Sequence, residues 1–170
     1  MSKSIFLGIF HFIVIALIQI LILNGLQLFG YINPLLYIWF ILLLPISSPA
    51  WLVLLSCFTM GFVVDVFEGQ MGFHAAVTVF MGFIRPLFIK VFFENKDSDL
   101  DTRVTIAEMG ITRFLPFAFI FVFVHHFLYF TFEIFSLKEF FFTLLRIFLS
   151  TIATTLLIVV MDLMFIKSKK

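Results

Sequence analysis

Apolar residues run along this chain in long stretches that few polar positions interrupt. A helix needs about 20 apolar residues, within about 17–25, to cross the hydrocarbon core of a bilayer. The first stretch, about 5–28, is broken by His11, Gln19 and Asn24. It exceeds the roughly 7–15 residues of a signal-peptide core and no small-x-small cleavage site follows, so it is expected to stay in the mature protein. The second, about 33–46, is short: Pro34 suits its first turn, and Pro45 and Pro49 bracket a tight Ser47–Ser48 turn. The third, about 50–66, follows at once, which predicts a helical hairpin with almost no loop. One kinked span over 33–66 is excluded, since it would extend about 50 Å at 1.5 Å per residue. The fourth stretch, about 73–93, contains Arg85–Pro86. A polar loop, 94–113, separates it from the fifth, about 114–135, and the sixth, about 140–166. In the second half of that loop Val104, Ile106, Ala107, Met109 and Ile111 lie among charges, and a short interfacial helix is expected there. The pattern predicts an all-α polytopic membrane protein, a single integral membrane domain over 1–170 built as a bundle of six transmembrane helices.

Composition removes the alternatives. The chain is 63% hydrophobic and 12% charged, with a mean hydropathy of +1.21. A water-soluble domain of 170 residues with 28 phenylalanines could not bury so much apolar surface. Disorder, a disulfide scaffold and a cytosolic globular enzyme are excluded. A net charge of +1 offers no footprint for nucleic acid. The single cysteine, Cys57, sits in an apolar run, cannot form an intrachain disulfide and is expected to be a buried thiol. No CxxC, HExxH, GxGxxG or P-loop pattern occurs, so no catalytic residue, metal ligand or cofactor site is expected.

Lysine and arginine near the span ends set the expected orientation. With six spans, both termini and the connections after spans two and four share one side, which carries Lys3, Lys90, Lys96, Arg103, Arg113, Lys167, Lys169 and Lys170. The other side has Lys138 alone, while Arg85 and Arg146 lie within spans. Eight against one places the termini and the 94–113 loop in the cytoplasm.

Ionisable groups at membrane depth cost about 2.5–3.5 kcal/mol each on insertion scales and usually face the bundle interior. Depth matching suggests two buried charge pairs, Asp65 with Arg146 and Arg85 with Asp162; the alternative is that each charge snorkels to the nearest headgroup layer. His125 and His126 are adjacent and point about 100° apart, so they are expected to bond core neighbours rather than one metal ion. His11 and His74 are isolated. Gly61, Asp65, Gly69 and Gly72 fall at spacings of four, four and three, a pattern for a tight helical hairpin with a buried acid.

The segments NPLLYIWFILLLP, GFVVDVFEGQMGFHAAV and GFIRPLF, between Asn33 and Phe92, resemble the bacterial rod shape-determining MreD family. That family is a small six-span protein with a G-x3-D-x3-G-x2-G-x-H-A type segment and a later Arg-Pro. The matching positions here are Gly61, Asp65, Gly69, Gly72, His74, Ala75, Arg85 and Pro86, and the motif covers about a third of the chain. The resemblance implies a noncatalytic scaffold of the cell-elongation complex in the bacterial cytoplasmic (inner) membrane, supporting peptidoglycan synthesis and cell shape. Its implied partner is the single-span protein MreC and, through it, the glycosyltransferase RodA, a class B penicillin-binding transpeptidase and the actin-like MreB. It also leaves room for a homo-oligomer, and it implies a fold similar to the S-component of energy-coupling-factor transporters.

That last likeness supplies a competing reading, the substrate-binding S-component of a vitamin importer. Such subunits need a polar, aromatic-lined cavity open outwards and typically carry an A-x3-A coupling pattern in the first span, where this chain has only Ala16. A lipid-modifying enzyme built from Asp65, Glu68 and the histidines is the third and weakest reading, since nothing fixes a nucleophile and a base together. The Gly61-to-Gly72 hairpin is the expected partner-docking element, because small residues, an acid and a sharp turn coincide there.

Overall fold

Inside a bilayer every backbone N–H and C=O must be satisfied within the protein, which a helix does unaided. The computed structural model describes residues 2–28, 30–70, 72–92, 102–133 and 140–165, and these are helical for most of their length. Five helices are long and apolar enough to cross a membrane. The first, α1 (Ser2–Ile18), continues through a π-helical turn at Gln19–Leu23; the others are Ala50–Glu68, Phe73–Phe92, Ile111–Glu133 and Phe140–Phe165. Two short helices complete the order, so the elements are α1, α2 (Ile38–Leu43), α3 (Ala50–Glu68), α4 (Phe73–Phe92), α5 (Ile106–Met109), α6 (Ile111–Glu133) and α7 (Phe140–Phe165). Large apolar side chains such as Phe6, Trp51, Phe83 and Phe142 point outwards, as a lipid-facing surface requires.

The expected second span is corrected. Residues 33–46 do not form a transmembrane helix: only Ile38–Leu43 are helical, and all six are buried. Leu35 through Leu44 form the centre of the core. The stretch runs beside α7, where Asn33 N–H donates to Ser150 Oγ (3.0 Å), Leu35 N–H to Thr154 Oγ1 (3.1 Å) and Trp39 Nε1–H to Asp162 (3.4 Å). From Ser150 to Asp162 is about 18 Å along a helix axis. Non-helical backbone at membrane depth is tolerated only where protein buries it and supplies hydrogen bonds. Here the hydroxyls of α7 and Gln19, which opens the π-helical turn after α1, do so: Gln19 Oε1 accepts from Tyr37 N–H (3.3 Å) and Gln19 Nε2–H donates to Pro34 O (3.4 Å).

α3 and α4 form a tight antiparallel hairpin. Gly69 ends α3 at φ +67°, its N–H bonded to Asp65 O, and Gly72 turns the chain at φ +89°, both in the left-handed region where glycine is favoured. Gly61 is buried where the two helices touch: a Cβ there would lie 2.5 Å from Ala75 Cα and 2.6 Å from Ala75 N. α6 packs rings on α4, with Phe117 and Phe121 against Phe88 and Phe92. α7 returns alongside α6, joined by Glu133–Arg146 near one end and by His126–Thr154 further along.

The expected interfacial helix is a single turn, Ile106–Met109, and α6 begins almost at once at Ile111. Val104 is fully buried, and its segment is tied to the bundle by Val104 N–H to Leu42 O (3.3 Å) and Ile46 N–H to Thr102 O (2.8 Å). Residues 102–109 therefore pack against the end of the bundle. The first half of α1 and the last turns of α7 lie towards that same end, since His11 meets Arg103 and Asp162 meets Ile106. Lys96 and Lys138, which weigh in the orientation argument, lie outside the described residues, as do Lys167, Lys169 and Lys170.

Candidate functional site

Four side chains form a continuous hydrogen-bonded row through the middle of the bundle. Glu68 Oε2 lies 2.6 Å from His74 Nε2, His74 Nδ1 lies 2.7 Å from the Tyr37 hydroxyl, and that hydroxyl lies 2.8 Å from His125 Nε2. The protons are assigned from the pairing. A hydroxyl has one proton, so Tyr37 donates to one histidine and accepts from the other. With neutral rings, His125 Nε2–H donates to Tyr37, Tyr37 O–H to His74 Nδ1, and His74 Nε2–H to Glu68. This direction leaves His125 Nδ1 as a bare lone pair, and that atom is buried without a partner. Tyr129 stacks on His74, ring centres 4.3 Å apart. The row has the carboxylate–imidazole–hydroxyl order of a nucleophile triad. The Tyr37 hydroxyl, however, is fully buried and engaged on both sides, with no face left for a substrate.

Glu68 opens onto a polar cavity of about 480 Å³ at the end of the bundle opposite residues 102–109. Gln19, Asn24, Asn33, Gln70, Tyr129, Glu133 and Arg146 also line it. Among the described residues, no group of three histidine, cysteine or acidic side chains is placed to hold a metal ion.

The four charges of the expected pairs take other partners; Asp65, Arg85 and Asp162 are buried, while Arg146 is partly exposed. Asp65 does not pair with Arg146: its Oδ1 accepts from His74 N–H (3.0 Å) and its Oδ2 from Ala75 N–H (2.8 Å), capping the start of α4. An anion at a helix N-terminus also meets the positive end of the helix dipole. Arg146 instead lies 3.0 Å from Glu133 and 4.3 Å from the centre of the Phe130 ring. Arg85 does not pair with Asp162 either. It donates through Nη2 to the carbonyl of Leu44, where α2 ends, a position that favours a cation. Asp162 accepts from Ile106 N–H (2.8 Å) and Trp39 Nε1–H. Three of these four charges thus satisfy backbone where helices start or stop, because orphan N–H and C=O groups at helix ends need partners wherever water does not reach them.

His125 and His126 bond different core groups, as their adjacency predicts: His125 meets Tyr37, while His126 meets Val122 O (2.9 Å) and Thr154 Oγ1 (3.3 Å). Cys57 is buried. Gly61, Asp65, His74, Ala75 and Arg85 all face inwards, so they build the hairpin and cannot themselves touch a partner. Pro86 is exposed on α4. The outer side of the hairpin carries a separate apolar groove of about 620 Å³, lined by Phe58, Phe62, Val66, Gly72, Ala75, Ala76 and Val79.

Sequence reasoning passed over Tyr37, Gln19 and the hydroxyls of α7. A signal was present: Ser150, Thr151, Thr154 and Thr155 repeat at helical spacing on one side of an otherwise apolar helix. No family model matches the chain, and neither a curated protein nor a solved structure matches it.

Proposed function

We propose that this protein is a noncatalytic membrane scaffold of the cell-elongation complex that holds an MreC-like single-span helix in the α3–α4 groove. The groove carries the reading. Lipid tails already satisfy apolar surface, so a helix gains over lipid only where small residues permit close approach. Gly72 and Ala76 supply them here, between Phe58, Phe62 and Val66. Of the motif that resembles the MreD family, Gly61 to Ala75 builds this hairpin, while Arg85 ties α4 to the end of α2 at Leu44. In this reading RodA, the transpeptidase and MreB are reached through the partner. The protein sits in the bacterial inner membrane with both termini cytoplasmic, as the lysine and arginine bias favours.

Ala76→Phe tests it. Ala76 is exposed in the groove, so a ring there fills the furrow without entering the core. The variant should insert at normal level, lose the co-purifying single-span partner in mild detergent, and give rounded cells. Retention of partner and rod shape would remove the groove from the function.

The importer reading draws on the polar cavity alone. A vitamin and a pair of ATPases co-purifying with the chain would favour it over the scaffold.

A further inference from the structure

We infer that the Glu68–His74–Tyr37–His125 row is a proton-operated switch: uptake of one proton at its cavity end reverses its hydrogen bonds and moves the His125 proton from Nε2 to Nδ1. The inference is independent of the groove and of any protein partner.

Chains of acidic and histidine side chains at membrane depth are the usual carriers of protons in membrane proteins. This row has one end within reach of water. The Glu68 side chain is 18% exposed and lines the polar cavity, whereas His74, Tyr37 and His125 are fully buried. The row also ties together four elements. Glu68 ends α3, His74 lies in the first turn of α4, Tyr37 precedes α2 and His125 lies in α6.

Two adjacent histidines show what sets the direction of the bonds. His126 is fixed from outside the row: its Nδ1–H donates to Val122 O (2.9 Å), so its Nε2 accepts from Thr154 Oγ1–H (3.3 Å), whose oxygen takes Leu35 N–H. His125 has no such anchor. Its Nε2 meets Tyr37, and its Nδ1 is buried without a partner. His74 and the Tyr37 hydroxyl use both of their sites within the row. Glu68 therefore decides which way it points.

A carboxylate only accepts, so ionised Glu68 draws every donor towards itself, in the direction described above. With one more proton in the 2.6 Å Glu68–His74 contact, whichever of the two holds it, His74 Nδ1 carries hydrogen. That N–H donates to the Tyr37 oxygen, Tyr37 O–H turns to His125 Nε2, and His125 keeps its single proton on Nδ1. All three hydrogen bonds survive. The balance is one proton taken from water; the His125 proton changes nitrogen by exchange with water during brief openings of the bundle. The groups facing the row are Asp65, held by the N–H groups of His74 and Ala75, Tyr129 stacked on His74, His126 beside His125, and the Glu133–Arg146 pair on the cavity wall. Lys138 and Glu139 lie outside the described residues. These charges tune the pH of uptake; only Tyr37 links it to His125.

Solid-state NMR of the histidine-labelled protein in lipid bilayers, equilibrated at each pH, reads every ring nitrogen as protonated or bare, and a carboxyl label reads Glu68. On acidification His125 should pass from Nε2–H to Nδ1–H over the pH interval in which Glu68 or His74 takes up its proton, while His126 stays Nδ1–H. In Glu68→Gln the His125 tautomer should no longer change with pH. In Tyr37→Phe the Glu68–His74 contact should still take up its proton and His125 should no longer follow. Lys138→Ala and Glu139→Gln should move the interval but leave the two changes together. A His125 that stays Nε2–H while Glu68 protonates, a doubly protonated His125, a tautomer change that persists in Glu68→Gln, or no change at any pH at which the protein stays folded would each overturn the proposal. Should Tyr37→Phe fail to fold, the unmodified protein and Glu68→Gln decide alone.

Discussion

Replacing Asp65 with alanine removes the carboxylate that holds the start of α4 against the end of α3. The side chain is 2% exposed and accepts two backbone N–H bonds, at 3.0 and 2.8 Å. Hydrogen bonds to a charged group contribute about 1.5–3 kcal/mol each. Two of them sum to about 3–6 kcal/mol, and relief from burying a carboxylate offsets part of that. The expected loss for Asp65→Ala is therefore about 3 kcal/mol. Asp65→Asn keeps one acceptor oxygen but sets an amide NH2 against the second N–H, so it should lose about 2 kcal/mol. Reversible unfolding in mixed micelles of mild detergent and dodecyl sulfate, followed by far-ultraviolet circular dichroism, reads both values. A double-mutant cycle adds a sharper check. Asp65 and Arg146 share no contact, so their changes should add to within about 0.5 kcal/mol. Glu133 and Arg146 are an ion pair with side chains 26% and 17% exposed, and solvent screening limits their coupling to about 0.5–1 kcal/mol. A cost below about 1 kcal/mol for Asp65→Ala, or coupling to Arg146 above about 1 kcal/mol, would refute the capping argument.

Gly61→Ala should destabilise the bundle by about 1–3 kcal/mol in the same assay, because its methyl meets the backbone of Ala75. Gly82→Ala should cost less, since its nearest obstacle is the Cys57 sulfur, which can rotate away. Tyr37→Phe strips the shared hydroxyl from His74 and His125 at once; leaving buried ring nitrogens unpaired should cost about 1–3 kcal/mol. For topology, a cysteine placed at position 98 should label only after permeabilisation and one at position 69 from outside. Native Cys57 is buried and gives little background. Labelling of position 98 in intact cells would reverse the orientation.

Hydropathy alone was enough to read the long helices, and their ends lie within a few residues of the apolar runs. That follows because a bilayer offers the backbone no partner, so a sufficiently long apolar stretch must become a helix whatever surrounds it. The glycine-and-acid hairpin was legible for a related reason: Gly69 and Gly72 require φ values that few other residues adopt, a local constraint. The run 33–46 was misread because it is just as apolar but too short to cross as a helix. Its backbone is satisfied by Gln19, Ser150 and Thr154, up to 119 positions away in the chain, and no local pattern carries that information. The same holds for the charges. Depth along a helix placed Asp65 near Arg146 and Arg85 near Asp162, but depth says nothing about rotation or about which backbone ends lie nearby. Asp65 found the N–H groups of His74 and Ala75, and Arg85 the carbonyl of Leu44, because orphan groups at helix ends are created only when the helices are assembled. Sequence determined that the chain lives in a membrane as helices; packing decided which polar atoms meet inside it.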